Sequence, residues 1–598
     1  MQNIIIKVLP FGIEWSADKG ENLLELLRKK GFYLSSSCGG HGICGKCLVE
    51  IKTATQSEFQ IKNACQVILN EDTIVDLSNS NISKITTKSN VVKKVYDFLG
   101  KYILNPQIKS KFLEVNRKSD SDYLSQIHAQ IKVEKTSLNF LRKFSYSISN
   151  EKFSGWVIHN STELLDWYPS DQTPKIVGCA IDIGTTNIAI EIVDLESGET
   201  LYQGFDINSQ IKYGDDVISR ISYASLSEEN LQELKKSVFT TINDLINKGL
   251  KILDIPSEFI YDVVIAGNTT MTHLFLGVSP KSLGELPFSP IFASPIVFKN
   301  SELNLIANPS AQIYTFPAIG SFVGGDITAG LLALDLFNSN ENFLFLDLGT
   351  NGEIAVGKKG EILTTSTATG PAFEGGRIAC GMRADEGAID HIFITEEDMS
   401  FTTIGDLPPK GICGTAIIEL ISILLDSNLL DISGKLLIGS TPNFIPLKIS
   451  NRVVIKDDEP RIIIHSDKSS RREIYLSSRD IRQFQLACGA IKCGVNLLLK
   501  YAKISPEEID KVYIAGNFGS YIHPKYLARV GIIPASISPD KIDIVGNTSL
   551  LGAKIALLDC EKRKLAEKYV KSIKHVELAT LPDFEQEFVF SMYFPEIH

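Results

Sequence analysis

An internal duplication constrains this 598-residue chain more than any other feature. The apolar run Ile176–Ile181 leads into Asp182-Ile-Gly-Thr-Thr-Asn187 and then the strand-like Ile188–Asp194. The same unit returns at Phe343–Leu346, Asp347-Leu-Gly-Thr-Asn-Gly352 and Glu353–Gly357. A second motif repeats in step: Val263-Val-Ile-Ala-Gly-Asn268 matches Val512-Tyr-Ile-Ala-Gly-Asn517. Asp-x-Gly-Thr and Ala-Gly-Asn thus alternate twice, which predicts two similar α/β lobes facing each other across a cleft. Gly184 and Gly349 allow tight turns whose N–H groups can hold phosphate oxygens. Thr185, Thr186 and Thr350 add hydroxyls. Asp182 and Asp347 then approach one phosphate chain from opposite lobes, and two carboxylates there suit Mg²⁺ held through waters. The bland reading is a pair of ordinary Asp-Gly turns. Two copies, each after a buried strand and each paired with an Ala-Gly-Asn loop, weigh against it.

The second informative stretch is Cys38-Gly-Gly-His-Gly-Ile-Cys44-Gly-Lys-Cys47 with Cys65, a C-x5-C-x2-C-x17-C pattern. Four thiolates complete the coordination of the two irons in a [2Fe–2S] cluster. Gly39, Gly40, Gly42 and Gly45 let the backbone take φ > 0 and bring N–H groups near the sulfides. The pattern resembles ferredoxins of the plant and adrenodoxin type, with x5 in the first gap as in the adrenodoxin-like variant. Structural zinc is the competing reading, but it commonly uses two C-x2-C pairs, and one is present. His41 either tunes the cluster or is an exposed loop histidine.

Composition sets the frame. The length calls for about three to five domains. The net charge of −11 argues against general nucleic-acid binding. Met-Gln-Asn-Ile-Ile-Ile-Lys-Val reads as a strand and not as a signal, and no run approaches the roughly 18 apolar residues of a membrane span. The expectation is a cytoplasmic protein without membrane or nucleic-acid partners, in which ten cysteines serve metal chemistry and packing.

Along the chain, residues 1–80 read as a β-rich ferredoxin domain with an amphipathic helix at Asn22–Lys30. Residues 81–118 carry nine Lys or Arg against Asp97 and Glu114, and read as a basic linker or a docking arm for an acidic partner. Residues 119–175 form a small α/β middle domain without readable chemistry. Residues 176–598 hold the duplicated lobes. Within them, Gly324–Gly330 opens a helix whose Asp326 either orients an attacking water or caps the helix. Gly370–Gly376 and Gly411–Thr415 are Gly-rich loops facing nucleotide or partner. Cys488 and Cys493, on an apolar helix, read as packing thiols.

The duplicated part resembles the ASKHA superfamily of acetate and sugar kinases, Hsp70 and actin. That resemblance makes Asp182–Asn187 and Asp347–Gly352 the two phosphate loops and Ala515–Gly519 the adenosine loop. It implies nucleotide contacts at Gly184, Thr185, Thr186 and Asn187, and at Gly349, Thr350, Asn351 and Gly352. From the Ala-Gly-Asn loops it adds Gly267, Asn268, Gly516, Asn517 and Gly519. The candidate catalytic residues are Asp182, Asp347 and Asp326. A [2Fe–2S] β-grasp ferredoxin domain on an ASKHA ATPase resembles, over the whole chain, the reductive activators of corrinoid-dependent proteins. The resemblance implies ATP, Mg²⁺ and a cluster on Cys38, Cys44, Cys47 and Cys65. It also implies an upstream electron donor, a homodimer, and a corrinoid protein raised from Co(II) to Co(I) by one electron. Two alternatives stand beside it. One is an activator of another low-potential enzyme such as a 2-hydroxyacyl-CoA dehydratase, whose activators use a [4Fe–4S] cluster bridging a dimer. The other is a redox-regulated small-molecule kinase.

Overall fold

The computed structural model describes residues 3–596 except 10–12, 30–31, 35–46, 54, 57, 78–81, 85–101, 117–120, 148–151, 397, 444, 468–471 and 517–521. Cys38, Cys44, Asn517 and Gly519, with His41, lie outside the described residues.

The N-terminal unit is a mixed five-stranded sheet in the order Ile13–Asp18, Asn3–Leu9, Thr73–Asp76, Leu48–Thr53, Gln60–Asn63. Its two central strands, Asn3–Leu9 and Thr73–Asp76, run parallel. The helix Leu23–Lys29 grips one face, burying Leu23, Leu24, Leu26 and Leu27 with Ile6, Val8 and Val75. That is the β-grasp arrangement. Asn22 starts the helix, its Oδ1 accepting from the Leu24 N–H at 3.0 Å.

Next comes a four-stranded sheet ordered Lys109–Asn116, Lys152–His159, Glu163–Pro169, Lys135–Thr136. Two helices, Tyr123–Ile131 and Leu138–Tyr146, cover one face around Phe140, Phe144 and Trp167. Lys109–Asn116 falls within the stretch expected to be a linker. Leu113 and Val115 bury, while Phe112, Glu114 and Asn116 between and beside them are exposed, the period of a strand with one face covered. A charge count over 81–118 reads the solvated face and misses the alternation. Just before it, Asn105 donates to the Leu558 carbonyl at 2.9 Å and accepts from Cys560 N at 3.0 Å, which ties this segment to the C-terminal part. The other face of the sheet lies on the first lobe. There the fully buried Asp166 accepts from Lys143 Nζ at 2.7 Å and from Tyr261 Oη at 2.8 Å.

The remainder is built twice. In the first lobe Val177–Ile183, Asn187–Asp194 and Thr200–Ile207 form an antiparallel meander. Ile260–Gly267 and Gln312–Thr315 extend it in parallel, with Ile296–Lys299 at the edge. In the second, Phe343–Leu348, Gly352–Lys358 and Glu361–Thr367 repeat the meander. Lys511–Ala515 and Ile542–Gly546 repeat the parallel extension. The first strand of each meander is an apolar run buried on both faces, as a central strand covered by helices must be. Two small three-stranded sheets and the helix Gly414–Asp426 are inserted into the second lobe. The expected apolar helix runs from Ser478 to Ala502 and buries Cys488 and Cys493. Among the described residues no helix is long and apolar enough to cross a membrane.

The lobes meet where the helices Gly325–Ala333 and Thr548–Leu558 cross within one shared apolar core. Two buried ion pairs fix the second helix and its successor to the first lobe. Lys554 reaches Glu191 at 3.5 Å, and Arg563 reaches Asp262 at 2.7 Å. The crossing is close because a Cβ on Gly552 would fall 2.0 Å from the Ala329 carbonyl oxygen. Gly→Ala inside a helix ordinarily stabilises by about 1 kcal/mol. Gly552→Ala is expected to do the reverse, by about 1–3 kcal/mol, because the added methyl overpacks the crossing. A urea midpoint equal to or above the parent's contradicts that account.

Candidate active site

Each Asp-x-Gly-Thr turn sits at the C-terminal end of its central strand, where the parallel neighbour also ends. Open α/β sheets bind ligands at this edge. The Ala-Gly-Asn motifs end those neighbours. Gly267 backs onto Ile183, and a Cβ there would lie 2.9 Å from the Ile183 carbonyl oxygen. Gly516 takes φ +94°, and a Cβ there would lie 2.4 Å from the Leu348 carbonyl oxygen and 2.9 Å from Asp347 Oδ1. Both motifs therefore buttress the phosphate loop of their own lobe, and only glycine fits the second. Asn268 does two jobs. Its Oδ1 caps the helix Thr269–Leu276 by accepting from Met271 N at 2.9 Å, and its Nδ2 donates to Thr185 Oγ1 at 3.1 Å.

Four carboxyl groups share the cleft. Asp182 comes from the first lobe, Asp347 from the second, Asp326 from the first turn of the helix Gly325–Ala333, and Glu353 from the strand position opposite Asp347. Asp182 Oδ2 accepts from Asn547 Nδ2 at 2.8 Å and its Oδ1 from Ser549 Oγ at 2.7 Å. The start of the Thr548–Leu558 helix thus grips the first phosphate loop. Burial raises Asp182 above the usual carboxylate range, against those two hydrogen bonds. Burial, with the Asp182 charge beside it, raises Asp326 to about 7. Asp347 is pushed to about 8 by burial and by the charges of Asp326 and Asp182. Burial and the charges of Asp326 and Asp347 raise Glu353 in the same direction. Asp326 is not the helix cap: Gly324 holds that position, and Asp326 Oδ1 accepts from its neighbour Ile327 N at 2.8 Å.

The loops touch across the cleft. Thr186 Oγ1 and Thr350 Oγ1 are 2.9 Å apart, and both donate to Glu374 at 3.0 Å. Thr369 Oγ1 donates to the carbonyls of Gly349 and Thr350. Asn208 Nδ2 donates to the Gly184 carbonyl at 2.9 Å. Arg220, wholly buried, donates from Nη2 to the Thr185 carbonyl at 2.6 Å. Burial pulls its guanidinium down to about 10, with Asp215 and Asp216 opposing, so it stays cationic. Asn187 begins the second strand of its meander, and the Asn351 carbonyl closes the second turn by accepting from Gly349 N at 3.0 Å. Among the described residues no three acidic, His or Cys side chains converge to hold an ion directly.

Arg220, Asn208, Glu353 and Glu374 were not legible as site residues. Glu353 had one usable signal. It breaks the repeat, standing where the first loop has Ile188. Glu374 lies within the Gly-rich loop 370–376 and carries no motif of its own.

In the N-terminal unit Cys47 and Cys65 come together. Their Sγ atoms are 3.3 Å apart, beyond the ~2.05 Å of a disulfide. Two thiolates on one tetrahedral ion with bonds of about 2.3 Å sit roughly 3.8 Å apart, so the pair fits a shared metal. Ala64 N donates to the Cys47 carbonyl at 2.8 Å and Asn22 Nδ2 to the Cys65 carbonyl at 2.9 Å, which fixes both cysteines.

A β-grasp unit with paired cysteines, joined to a two-lobed cleft with a phosphate loop in each lobe, defines an iron–sulfur protein with an ASKHA-type ATPase. The family described as "2Fe-2S iron-sulfur cluster binding domain" matches residues 6–70. "RACo middle region" matches 177–339, which is the first lobe, and "C-terminal domain of RACo the ASKHA domain" matches 341–598. The corrinoid activation enzyme RamQ of Eubacterium limosum is 32% identical over 571 residues, 94% of each chain. The [Co(II) methylated amine-specific corrinoid protein] reductase of Methanosarcina barkeri is 25% identical over 447 residues, 68% of this chain and 75% of that one. The solved structure of a reductive activator for corrinoid,iron-sulfur protein superposes with a TM-score of 0.74 at 30% identity, covering 99% of this chain and 98% of the other. This chain belongs to the RACo family of corrinoid reductive activators.

The carboxyl cluster makes stability depend on pH. A folded-state value of about 8 for Asp347, against about 4 unfolded, means that folding takes up a proton between those limits. The stability this supplies is full below about pH 4 and is lost as pH rises through about 8. Asp347→Asn removes the dependence. Without nucleotide, the variant's melting temperature relative to the parent is expected to become more favourable from pH 6 to pH 9. A difference that stays constant with pH rejects a raised Asp347.

Proposed function

We propose that the chain is an ATP-dependent activase that passes one low-potential electron to a corrinoid protein and returns its cobalt from Co(II) to Co(I). The observation that carries the proposal is the union, in one chain, of a cysteine-paired β-grasp unit with a duplicated phosphate cleft, aligned end to end with RamQ. Cys38, Cys44, Cys47 and Cys65 would hold a [2Fe–2S] cluster, which when bound supplies a one-electron carrier near about −400 mV. Raising an electron by a further 100–200 mV costs on the order of 2–5 kcal/mol. ATP offsets that cost if its binding changes how activator and partner hold each other.

The residues divide the work. Thr185, Thr186 and Thr350 present hydroxyls, and the Gly184 and Gly349 turns present N–H groups, to the phosphates. Asp182 and Asp347 face each other with Asp326 between lobes, and would hold Mg²⁺ through waters, since this ion keeps most of its hydration shell. Asp326 stands where it can orient the attacking water. Nucleotide bound to both loops would link the two lobes about the helix crossing. The basic stretch 81–118, apart from its strands Ile82–Lys84 and Lys109–Asn116, would be the tether between cluster unit and cleft. The resemblance also brings a homodimer, a separate upstream donor and a cytoplasmic setting into the proposal.

The deciding experiment mixes reduced protein, ATP and candidate corrinoid proteins and follows the Co(II) absorption band. Conversion to the Co(I) spectrum only with ATP is expected. Absence of any ATP-dependent change across corrinoid partners overturns the proposal, and a phosphorylated small molecule would instead support the kinase alternative. Cys47→Ala is expected to abolish the reduced-cluster paramagnetic resonance signal while ATP binding by calorimetry persists. A silent parent protein containing zinc would reject the iron–sulfur assignment.

A further inference from the structure

One side chain outside both phosphate loops joins them. Glu374 ends the short turn Gly370–Glu374. Its Oε2 accepts from Thr186 Oγ1 and its Oε1 from Thr350 Oγ1, both at 3.0 Å. A threonine hydroxyl has a single proton, so each loop spends its donor on the same carboxylate. Both threonines are 6% exposed, which leaves little room for water to serve them instead. Arg220 lies within electrostatic reach of Glu374 from behind the first loop. Two converging donors with a buried cation behind them make an anion site, and a carboxylate offers the same pair of charged oxygens as the edge of a phosphate. In this fold the chain's own Glu374 fills it.

The surrounding backbone is tightly folded. A Cβ on Gly375, at φ +74°, would lie 2.5 Å from the Met382 carbonyl oxygen, and one on Gly376 would lie 2.5 Å from Pro371 Cβ. Met382 N in turn donates to the Ile412 carbonyl at 2.9 Å. Glu374 therefore leaves the site either by swinging its side chain or by carrying 370–382 with it.

We propose that Glu374 is the internal occupant of the terminal-phosphate subsite: it closes the empty cleft across both loops, and the terminal phosphate of ATP replaces it on Thr186 and Thr350. The inference rests on the nucleotide reading above and adds a means of discrimination. ADP, lacking the terminal phosphate, leaves Glu374 in place, whereas ATP ejects it.

The test is calorimetric titration of the full chain, as parent, Glu374→Gln and Glu374→Ala, with magnesium–ATP and magnesium–ADP. Removing the internal competitor is expected to tighten ATP about tenfold, while ADP changes by less than about twofold. A parent that binds neither nucleotide overturns the nucleotide reading itself. A parent that binds both, with variants that bind ATP no better, overturns this inference alone. Weaker ATP binding in the variants would make Glu374 a direct ligand and also overturn it. Should the variants not fold, hydrogen exchange on the parent decides: residues 370–376 are expected to exchange faster with a non-hydrolysable ATP analogue than with ADP. Equal exchange rejects the displacement.

Discussion

Everything in the C-terminal two-thirds depends on bringing Asp182 and Asp347 into one cleft against their mutual repulsion. Like charges in a low-dielectric cleft raise each other's pKa, and burial adds to the effect. The fold accepts this because neither carboxylate can move away alone. Each is the last inward residue of a strand paired on both sides, backed by an Ala-Gly-Asn turn. Asn547 and Ser549 then supply two neutral donors to Asp182. They come from the helix that crosses Gly325–Ala333, so the contact that satisfies the first phosphate loop also sets the spacing between lobes. In the proposed nucleotide complex the same geometry would present paired negative charge to a cation.

The N-terminal part is attached by a graded series of contacts. The small sheet is fastened to the first lobe through Asp166, where a buried carboxylate meets Lys143, Tyr261 and a Tyr168 hydroxyl linked to Tyr261 at 2.8 Å. Removing any one partner would leave a buried group unsatisfied, a cost of about 1–3 kcal/mol. The segment before it is pinned by Asn105 to the end of the helix Thr548–Leu558.

Much of this was legible in the sequence because it is local and repeated. Buried strands ending in Asp-x-Gly-Thr, the Leu-rich helix, and the cysteine spacing each carry their own periodicity or motif. The duplication supplies what one copy could not. Lys109–Asn116 was not legible, since alternation over a single strand is masked by its net charge. Nor were Arg220 and Asn208, which act from behind the first loop through backbone carbonyls and carry no motif. The pairing of Cys47 with Cys65 could be inferred from chemistry, but the fixing of the Cys65 carbonyl depends on Asn22, a helix cap that is distant in sequence.

The repeat is faithful in backbone and unfaithful in side chains, and the difference gives the cleft a direction. Aligned motif to motif, Thr185 corresponds to Thr350, yet the hydroxyl that meets Thr350 belongs to Thr186. Thr185 instead turns to Asn268 and Arg220, which stabilise the first loop from within its own lobe. The second loop leans instead on Thr369 and on Glu374, both from the segment that follows its meander. Glu353 adds a carboxylate opposite Asp347, where the first lobe has Ala189 opposite Asp182. The first lobe thus presents a braced, cation-backed loop, and the second an acidic loop bonded to the Gly370–Glu374 turn. A symmetric cleft would bind a phosphate chain equally well in either sense. With one side braced and the other carrying its own anion, the two ends of a phosphate chain would meet different surroundings in this cleft.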